Sequence, residues 1–259
     1  MSDIVSELID YFKDYGRKGI CVAFSGGLCS AVILRTAAMA KMNVHAVTFK
    51  TALHSAVEMR DAKKLSKAVG VPHKVFELSE AENRLILKNH RDSLYKSRYS
   101  MYAKMKLYAN QNGLGLLTDG TNVDDLMDGC AWLKVLTEMN IRTPLADLCI
   151  DDELAIEIAE ELKIPMTGRS SASYLTERIG KGTEITPALT KKIQRGENFL
   201  QDLGFEPVIM KIRDNIVIIE IQSNQFQQLA VCSQKIVKKI KGLGFDYVTL
   251  DVEGIKKEA

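Results

Sequence analysis

The chain has few of the features that mark exported, membrane-embedded or polyanion-binding proteins. Its 259 residues include only five cysteines, four histidines and one tryptophan, and the net charge is +2. The cysteines form no short-spaced pair of the kind that binds zinc or builds a disulfide framework. So small a net charge gives no general attraction to nucleic acid. No apolar run reaches the roughly 20 residues that span a bilayer, so we expect neither a nucleic-acid nor a membrane partner.

The composition is that of an ordinary globular protein. The hydrophobic content is 46% and the charged content is 26%. The first residues, Met1–Val5, lack the basic and then apolar order of a signal peptide. We therefore expect a cytoplasmic location, reduced thiols, and one large domain or two smaller ones.

The first two thirds of the chain alternate between strand and helix candidates. Apolar strand candidates lie at 20–24, 44–49, 74–78 and 115–118, with helix candidates at 31–35, 56–69 and 94–110. This alternation predicts an α/β fold with a doubly wound parallel sheet and helices on both faces.

The pattern changes after a polar stretch at 166–173. A helix begins at Thr186-Pro187, and two strand candidates, Pro207–Arg213 and Ile216–Ile221, are joined by a short turn at Asp214-Asn215. We predict a first domain over 1–165, a linker or active-site loop over 166–183, and a small α+β domain over 184–259.

A glycine-rich loop, Ser25-Gly26-Gly27-Leu28-Cys29-Ser30, follows the first strand candidate and opens a helix. Glycine permits positive φ and a close approach of backbone N–H groups to a ligand, while a helix N-terminus favours anions. Ser25 and Ser30 add hydroxyl groups. The loop predicts a phosphate site at the carboxyl end of a strand; the alternative is a tight turn that binds nothing.

A polar and acidic run, Asp119–Asp128, follows the fourth strand candidate. Asp124 and Asp128 are four residues apart and would share one helix face, which suits Mg²⁺ held through water against a phosphate. The alternative is a capped helix N-terminus, because Asp and Asn favour that position. Paired with the glycine-rich loop, the run favours nucleotide binding.

The strand, the Ser-Gly-Gly-x-x-Ser loop and the following helix resemble the PP-loop of the ATP pyrophosphatases. The resemblance is closest to the LarE family of ATP-dependent sacrificial sulfur transferases. Its Gly-Thr-Asn-x-Asp-Asp-x-x-Asp run is matched over 120–128, and its Ser/Thr-Pro-Leu by Thr143-Pro144-Leu145. Its Arg-Ile-x-x-Gly-Thr-x-Ile-Thr-Pro pattern is matched over 178–187. The similarity covers nearly the whole chain in matching order.

The resemblance implies a fold of the adenine nucleotide alpha hydrolase type and an enzyme that cleaves ATP between its α and β phosphates. Such an enzyme adenylates a small-molecule or cofactor-precursor acceptor and releases pyrophosphate. The resemblance also implies a homo-oligomer, Mg²⁺ at Asp124 and Asp128, and a catalytic role for Arg178. The expected ATP- and pyrophosphate-binding residues are Ala23, Ser25, Gly26, Gly27, Ser30, Thr48, Arg98, Gly120 and Thr121.

Two departures from the family leave the sulfur chemistry open. The sacrificial cysteine falls on Ser173 or Tyr174, and neither can donate sulfur. The usual loop aspartate is Cys29 here. Because a thiol at a helix N-terminus has a lowered pKa, Cys29 is a candidate reactive thiol, sulfur carrier or iron–sulfur ligand, with Cys130 as a second member. The alternative is that both thiols are inert.

Three functions are compatible with these residues. One is an adenylating enzyme for sulfur transfer, the second is an amidating ligase that uses ammonia, and the third is a nucleotide-binding sensor or subunit without catalysis. The intact carboxylates at 124, 125 and 128 favour an enzyme over the sensor. His45 and His73 lie alone beside apolar strand residues, and we expect them to be structural.

Overall fold

A computed structural model describes residues 1–51, 56–127, 133–164 and 178–255. They pack into two compact units. The first holds the described residues of Met1–Leu85 and Arg91–Ala172, and the second holds those of Ile86–His90 and Ser173–Ala259. Within the described ranges no helix is long and apolar enough to cross a membrane.

The first unit is built on a four-stranded parallel sheet. Its strands are β1 (Ile20–Ala23), β2 (Val44–Lys50), β3 (His73–Glu77) and β4 (Leu116–Thr118). They lie in the order β3-β2-β1-β4, so the strand order reverses between β1 and β4. Ile20 pairs with Val44 on one side and with Leu116 on the other. In such sheets ligands bind outside the carboxyl ends of the strands at the reversal.

Helices cover both faces of this sheet. The helices described up to residue 164 are α1 (Asp3–Tyr15), α2 (Leu28–Met39), α3 (Ala56–Val69), α4 (Glu80–Leu87), α5 (Arg91–Gln111), α6 (Val123–Met127), α7 (Lys134–Met139), α8 (Pro144–Asp147) and α9 (Asp152–Glu161). Ile20 and Val22 are buried with residues of α1, α2 and α9. Cys21 points to the other face and is buried with residues of α5 and α7. The predicted doubly wound α/β fold is confirmed.

The second unit is a small α+β structure. Its strands are β5 (Val208–Arg213), β6 (Ile216–Ile221) and β7 (Tyr247–Leu250), and its long helices are α10 (Pro187–Asp202) and α11 (Phe226–Gly242). β5 and β6 are antiparallel, and β7 lies parallel to β6. The hydroxyl of Thr186 accepts a hydrogen bond from Leu189 N at 3.1 Å, which caps α10 where the Thr-Pro pair predicts its start.

An early segment, Ile86–His90, packs with this second unit. Asn89 is buried, and its Nδ2 donates to Ile179 O and to Gly180 O, each at 3.1 Å. Gly182 N donates to Asn89 O at 2.9 Å. Nothing in the composition of the segment indicates this long-range packing.

Candidate functional site

The loop Ser25–Ser30 lies at the carboxyl edge of the parallel sheet, between β1 and α2. Gly26 has a φ of +88°, which L side chains rarely adopt, and an added Cβ would lie 3.2 Å from the Ala62 Cβ. Gly27 is the N-cap of α2, and Ala31 N donates to Gly27 O at 3.0 Å. The N–H groups of a first helical turn have no acceptor within their helix and are suited to bind an anion.

The two loop serines are linked to each other. Ser30 Oγ donates to Gly27 O at 2.9 Å, and Gly27 N donates to Ser25 Oγ at 3.1 Å. The two hydroxyl oxygens are 3.0 Å apart. Because the Ser30 proton is used on Gly27 O, Ser25 donates to Ser30. Ser30 is buried and holds the turn, whereas Ser25 is exposed and can redirect its proton to a ligand.

The turn after β4 packs directly against this loop. A Cβ on Gly120 would lie 2.6 Å from Ser30 N and 2.9 Å from Cys29 C, so only glycine fits there without a backbone shift. The contact arises because β4 is the hydrogen-bonded neighbour of β1. The two motifs, which lie about 90 residues apart in sequence, therefore meet at the strand-order reversal.

A buried carboxylate, Asp119, holds the conformation of that turn. Thr121 N donates to Asp119 Oδ1 at 3.0 Å, and Tyr102 OH donates to Asp119 Oδ2. Burial and then the Asp119 charge raise the pKa of Tyr102 well above its ordinary value, so the phenol remains a neutral donor. The positive charge of Arg98 acts on Tyr102, against the effect of burial and Asp119, and it also acts on Asp125. The predicted site residues Arg98 and Thr121 thus lie at the same edge of the sheet. Asp119 was predicted only as a member of the acidic run, and Tyr102 was not predicted as a site residue.

The acidic run caps two helices. Asp125 N donates to Asn122 Oδ1 at 3.0 Å, and Asn122 N donates to Asp125 Oδ2 at 3.1 Å, which is a reciprocal cap on α6. Asp124 Oδ2 accepts from Asp152 N at 2.9 Å, at the start of α9. One oxygen of the predicted metal ligand Asp124 therefore serves as a helix cap. Asp128 lies outside the described residues.

Cys29 lies in the first turn of α2 beside these polar groups. Its Sγ is 3.8 Å from Asp152 Oδ1 and 3.8 Å from Asn122 Nδ2, which itself donates to Asp152 Oδ1 at 2.6 Å. Burial, followed by the charges of Asp152 and Asp125, raises the pKa of Cys29 to about 12. The lowered pKa expected from the helix N-terminus is therefore wrong, because desolvation and two carboxylates outweigh the helix dipole. Cys130 lies outside the described residues.

The carboxylates at this edge suit a divalent cation held together with a phosphate. Among the described residues no group of three or more His, Cys, Asp or Glu side chains is placed to hold a metal ion by itself. Asp124, Asp125 and Asp152 are nevertheless close together, and burial, reinforced by the charges of Asp119 and Asp152, raises the pKa of Asp125. A cation would relieve this excess of negative charge. Mg²⁺ keeps several waters and binds through one or two carboxylates plus phosphate oxygens, so the donor set fits it.

Two predicted nucleotide-site residues, Ala23 and Thr48, lie near the carboxyl ends of β1 and β2. Thr48 is buried, its Oγ1 donates to Phe24 O at 2.5 Å, and it lies 2.7 Å from His73 Nε2. His73 Nδ1 lies 3.0 Å from Ser66 Oγ, and burial lowers the His73 pKa. The Thr48 hydroxyl therefore supports the backbone that leads into the loop.

Arg178, the predicted catalytic arginine, is described within the second unit. Its guanidinium pairs with Glu197 of α10, and its Nε donates to Met210 O at 3.3 Å. Glu197 Oε1 also accepts from Met210 N at 2.9 Å. The Arg178 and Glu197 side chains are only 12% and 18% exposed. These contacts fasten β5 to α10, which is a structural role within the second unit.

Comparison with known proteins finds one family model and several relatives that are similar to this chain. The family model of the queuosine biosynthesis protein QueC matches residues 19–106. The uncharacterized protein slr1717 of Synechocystis is 28% identical over 253 residues, covering 96% of this chain and 94% of its own length. The pyridinium-3,5-bisthiocarboxylic acid mononucleotide synthase of Lactiplantibacillus plantarum is likewise 28% identical over 253 residues, with 96% and 90% covered.

A solved structure has a similar fold. NMN synthetase from Francisella tularensis superposes with a TM-score of 0.50 and 17% identity, covering 66% of this chain and 75% of that chain. The QueC match includes β1, β2, β3 and the Ser25–Ser30 loop. With the loop and the acidic run meeting at the strand-order reversal, these similarities indicate an enzyme related to the PP-loop ATP pyrophosphatases and near the LarE-type sulfur transferases.

Proposed function

We propose that the chain binds ATP with Mg²⁺ and adenylates a carboxylate, releasing pyrophosphate, as the activating step of a sulfur transfer. The observation that carries the proposal is the contact of Gly120 with the backbone of Ser30. This contact brings the N–H groups of the Ser25–Ser30 loop and the carboxylates of the acidic run to the same edge of the sheet. Phosphoryl chemistry needs both, because the loop binds anionic oxygens and the carboxylates hold a cation.

The loop is suited to hold the phosphates that leave. The N–H groups at the start of α2 and the exposed Ser25 hydroxyl would bind pyrophosphate oxygens. Arg98, whose charge acts on Tyr102 and Asp125, would stabilise negative charge that develops on the oxygens of the transferring phosphoryl group. Mg²⁺ bound at Asp124 and Asp128 would supply Lewis-acid polarisation of phosphate oxygens.

In the proposed step a carboxylate oxygen of the acceptor attacks the α-phosphorus, the bond to the α–β bridging oxygen breaks, and pyrophosphate leaves. A nucleophile then attacks the acyl carbon, and AMP leaves with that acceptor oxygen. The Lactiplantibacillus relative is named for a pyridinium mononucleotide with two thiocarboxylic acids. A pyridinium mononucleotide that carries carboxylates is therefore the first acceptor class to test.

We propose that the sulfur nucleophile comes from outside the chain. The stretch 166–178 contains no cysteine. Cys29 is a protonated thiol at neutral pH, because burial and neighbouring carboxylates raise its pKa to about 12. Free sulfide, or sulfide carried by a cluster on a partner, would supply sulfur, whereas ammonia would make the chain an amidating ligase. By resemblance we also propose a homo-oligomer, which sedimentation of the purified protein tests. The N-terminal sequence is the reason to propose a cytoplasmic location.

An acceptor labelled with ¹⁸O in its carboxylates tests the adenylation step. With ATP, Mg²⁺ and sulfide, we expect AMP that carries one ¹⁸O and an equal amount of pyrophosphate. Ser25→Ala should lower the rate about tenfold or more, whereas Ser6→Ala, on α1, should leave it unchanged. Pyrophosphate release without ¹⁸O in AMP would rule out adenylation of the acceptor. An amide formed with ammonia but no product with sulfide would favour the ligase, and tight ATP binding without AMP would favour a sensor.

A further inference from the structure

A buried polar pair, Tyr102 and Asp119, lies at the turn that contacts the Ser25–Ser30 loop, and the proposed chemistry does not use it. The two residues are only 2% and 5% exposed. A buried carboxylate is costly unless hydrogen bonds compensate for its lost hydration. Asp119 has two such bonds, from Tyr102 OH and from Thr121 N. Each oxygen of the buried Asp119 carboxylate thus accepts one hydrogen bond.

The pair controls a turn that touches the loop. Asp119 N donates to Arg142 O at 3.2 Å, and Thr121 N donates to Asp119 Oδ1 at 3.0 Å, so the residues on both sides of Gly120 are fixed. Gly120 itself lies so close to Ser30 N that no Cβ would fit between them. A displacement of the turn by a few tenths of an ångström would therefore move the first turn of α2.

The phenol also lies close to Arg98. Arg98 and Tyr102 are four residues apart on α5 and share a helix face. The positive charge of Arg98 acts on the Tyr102 phenol, whose hydroxyl donates to Asp119. Tyr102 therefore lies between the cationic side chain of the site and the buried carboxylate that shapes the turn.

We propose that Tyr102 and Asp119 are positioning residues of the nucleotide site, which hold Arg98 and the 119–121 turn in register with the phosphate loop. This inference rests on the proposed function for its effect on ATP. Its structural part, the link from the pair through Gly120 to the loop, is argued from the contacts of Thr121 with Asp119 and of Gly120 with Ser30.

Tyr102→Phe in the full-length protein removes the phenol oxygen and keeps the ring. The matched control is Tyr108→Phe, also on α5, whose hydroxyl lies 2.8 Å from His45 Nδ1 near the amino end of β2. The measurements are ATP·Mg²⁺ affinity by calorimetry, KM and kcat for pyrophosphate release, thermal unfolding, and amide hydrogen exchange of a peptide spanning 25–31. Asp119→Asn and Asp119→Ala complete the set.

We expect Tyr102→Phe to weaken ATP binding and raise KM about tenfold, and to speed hydrogen exchange of the loop by a similar factor. Tyr108→Phe should change neither, even where the two variants unfold at similar temperatures. Asp119→Asn keeps an acceptor for Thr121 N and should lose less affinity than Asp119→Ala. Equal loop exchange in Tyr102→Phe and Tyr108→Phe would overturn the inference. If the wild-type chain binds no ATP, the proposed function fails, and the exchange comparison still decides whether the pair positions the loop.

Discussion

At the scale of single residues, the site depends on contacts that only one residue type allows. Gly120 is the sharpest case, because its α-carbon faces the backbone of Cys29 and Ser30. A methyl group there would meet backbone atoms, which cannot turn away as a flexible side chain would. Close approach rather than an unusual φ is therefore the reason for glycine at this position.

Gly120→Ala should accordingly destabilise the protein by about 2 kcal/mol or more and weaken ATP binding by more than tenfold. Gly242→Ala is the control, because an added Cβ there has nothing within 4 Å. It should stay within about 0.5 kcal/mol of the wild type. Denaturant unfolding and calorimetry measure both quantities. Wild-type ATP affinity in Gly120→Ala would show that the turn and the loop are not mechanically linked.

The ionisation of Cys29 depends on a residue that is distant in sequence. A thiol at a helix N-terminus suggests a thiolate, but Asp152, 123 residues later in the chain, brings its carboxylate to 3.8 Å from the sulfur. No pattern within the loop sequence reveals this neighbour. The type of loop could be predicted from the sequence, whereas the protonation state of its thiol could not.

Alkylation with iodoacetamide, followed by peptide mapping, tests this assignment. Because the Cys29 pKa is raised to about 12, its alkylation rate should show no inflection between about pH 6 and 9. The exposed thiol of Cys149 provides the reference rate in the same sample. A Cys29 rate that levels off below about pH 8 would identify a thiolate and return Cys29 to the list of candidate nucleophiles.

At the scale of elements, one carboxylate fastens α4 to α5. Glu82 accepts from Lys104 Nζ at 2.7 Å, from Ser100 Oγ at 2.6 Å and from Ser79 N at 2.9 Å. Burial alone would raise the Glu82 pKa, but the bonds from Lys104, Ser100 and Ser79 outweigh it and lower the pKa to about 2. The contacts of Glu82 with Ser100 and Lys104 on α5 are not visible in the local sequence, and α4 was not predicted from it.

Glu82→Gln should cost about 1–3 kcal/mol of unfolding free energy at pH 7. Since the folded pKa of Glu82 lies below the ordinary 4.5, its stabilisation is complete above that value and is lost as pH falls toward about 2. The deficit of the variant should therefore shrink over this acidic window. Glu80→Gln, which removes an exposed pair with Arg84, is the control and should cost less than about 0.5 kcal/mol. A deficit that is constant from pH 7 to pH 3 would contradict the assignment of Glu82.

At the scale of the whole molecule, the alternation of apolar strands and helices predicts a doubly wound sheet, and that prediction is confirmed. The order β3-β2-β1-β4 could not be derived in the same way, because strand adjacency depends on tertiary packing rather than on local pattern. That order makes the acidic run a neighbour of the Ser25–Ser30 loop. The packing of Ile86–His90 with the second unit was equally hidden, since its partners Ile179 and Gly180 lie far along the chain.

The identity of the ATP products tests the central claim most directly. The purified chain, Mg²⁺, a pyridinium carboxylate mononucleotide and sulfide would be incubated with ATP labelled at the α or the γ phosphate. Cleavage at the α–β bond predicts AMP and pyrophosphate in equal amounts, with no ADP. Both products should form about tenfold or more slowly in Ser25→Ala and at the wild-type rate in Ser6→Ala. ADP with inorganic phosphate, or intact ATP after complete incubation, would contradict the assignment of this loop to an ATP pyrophosphatase reaction.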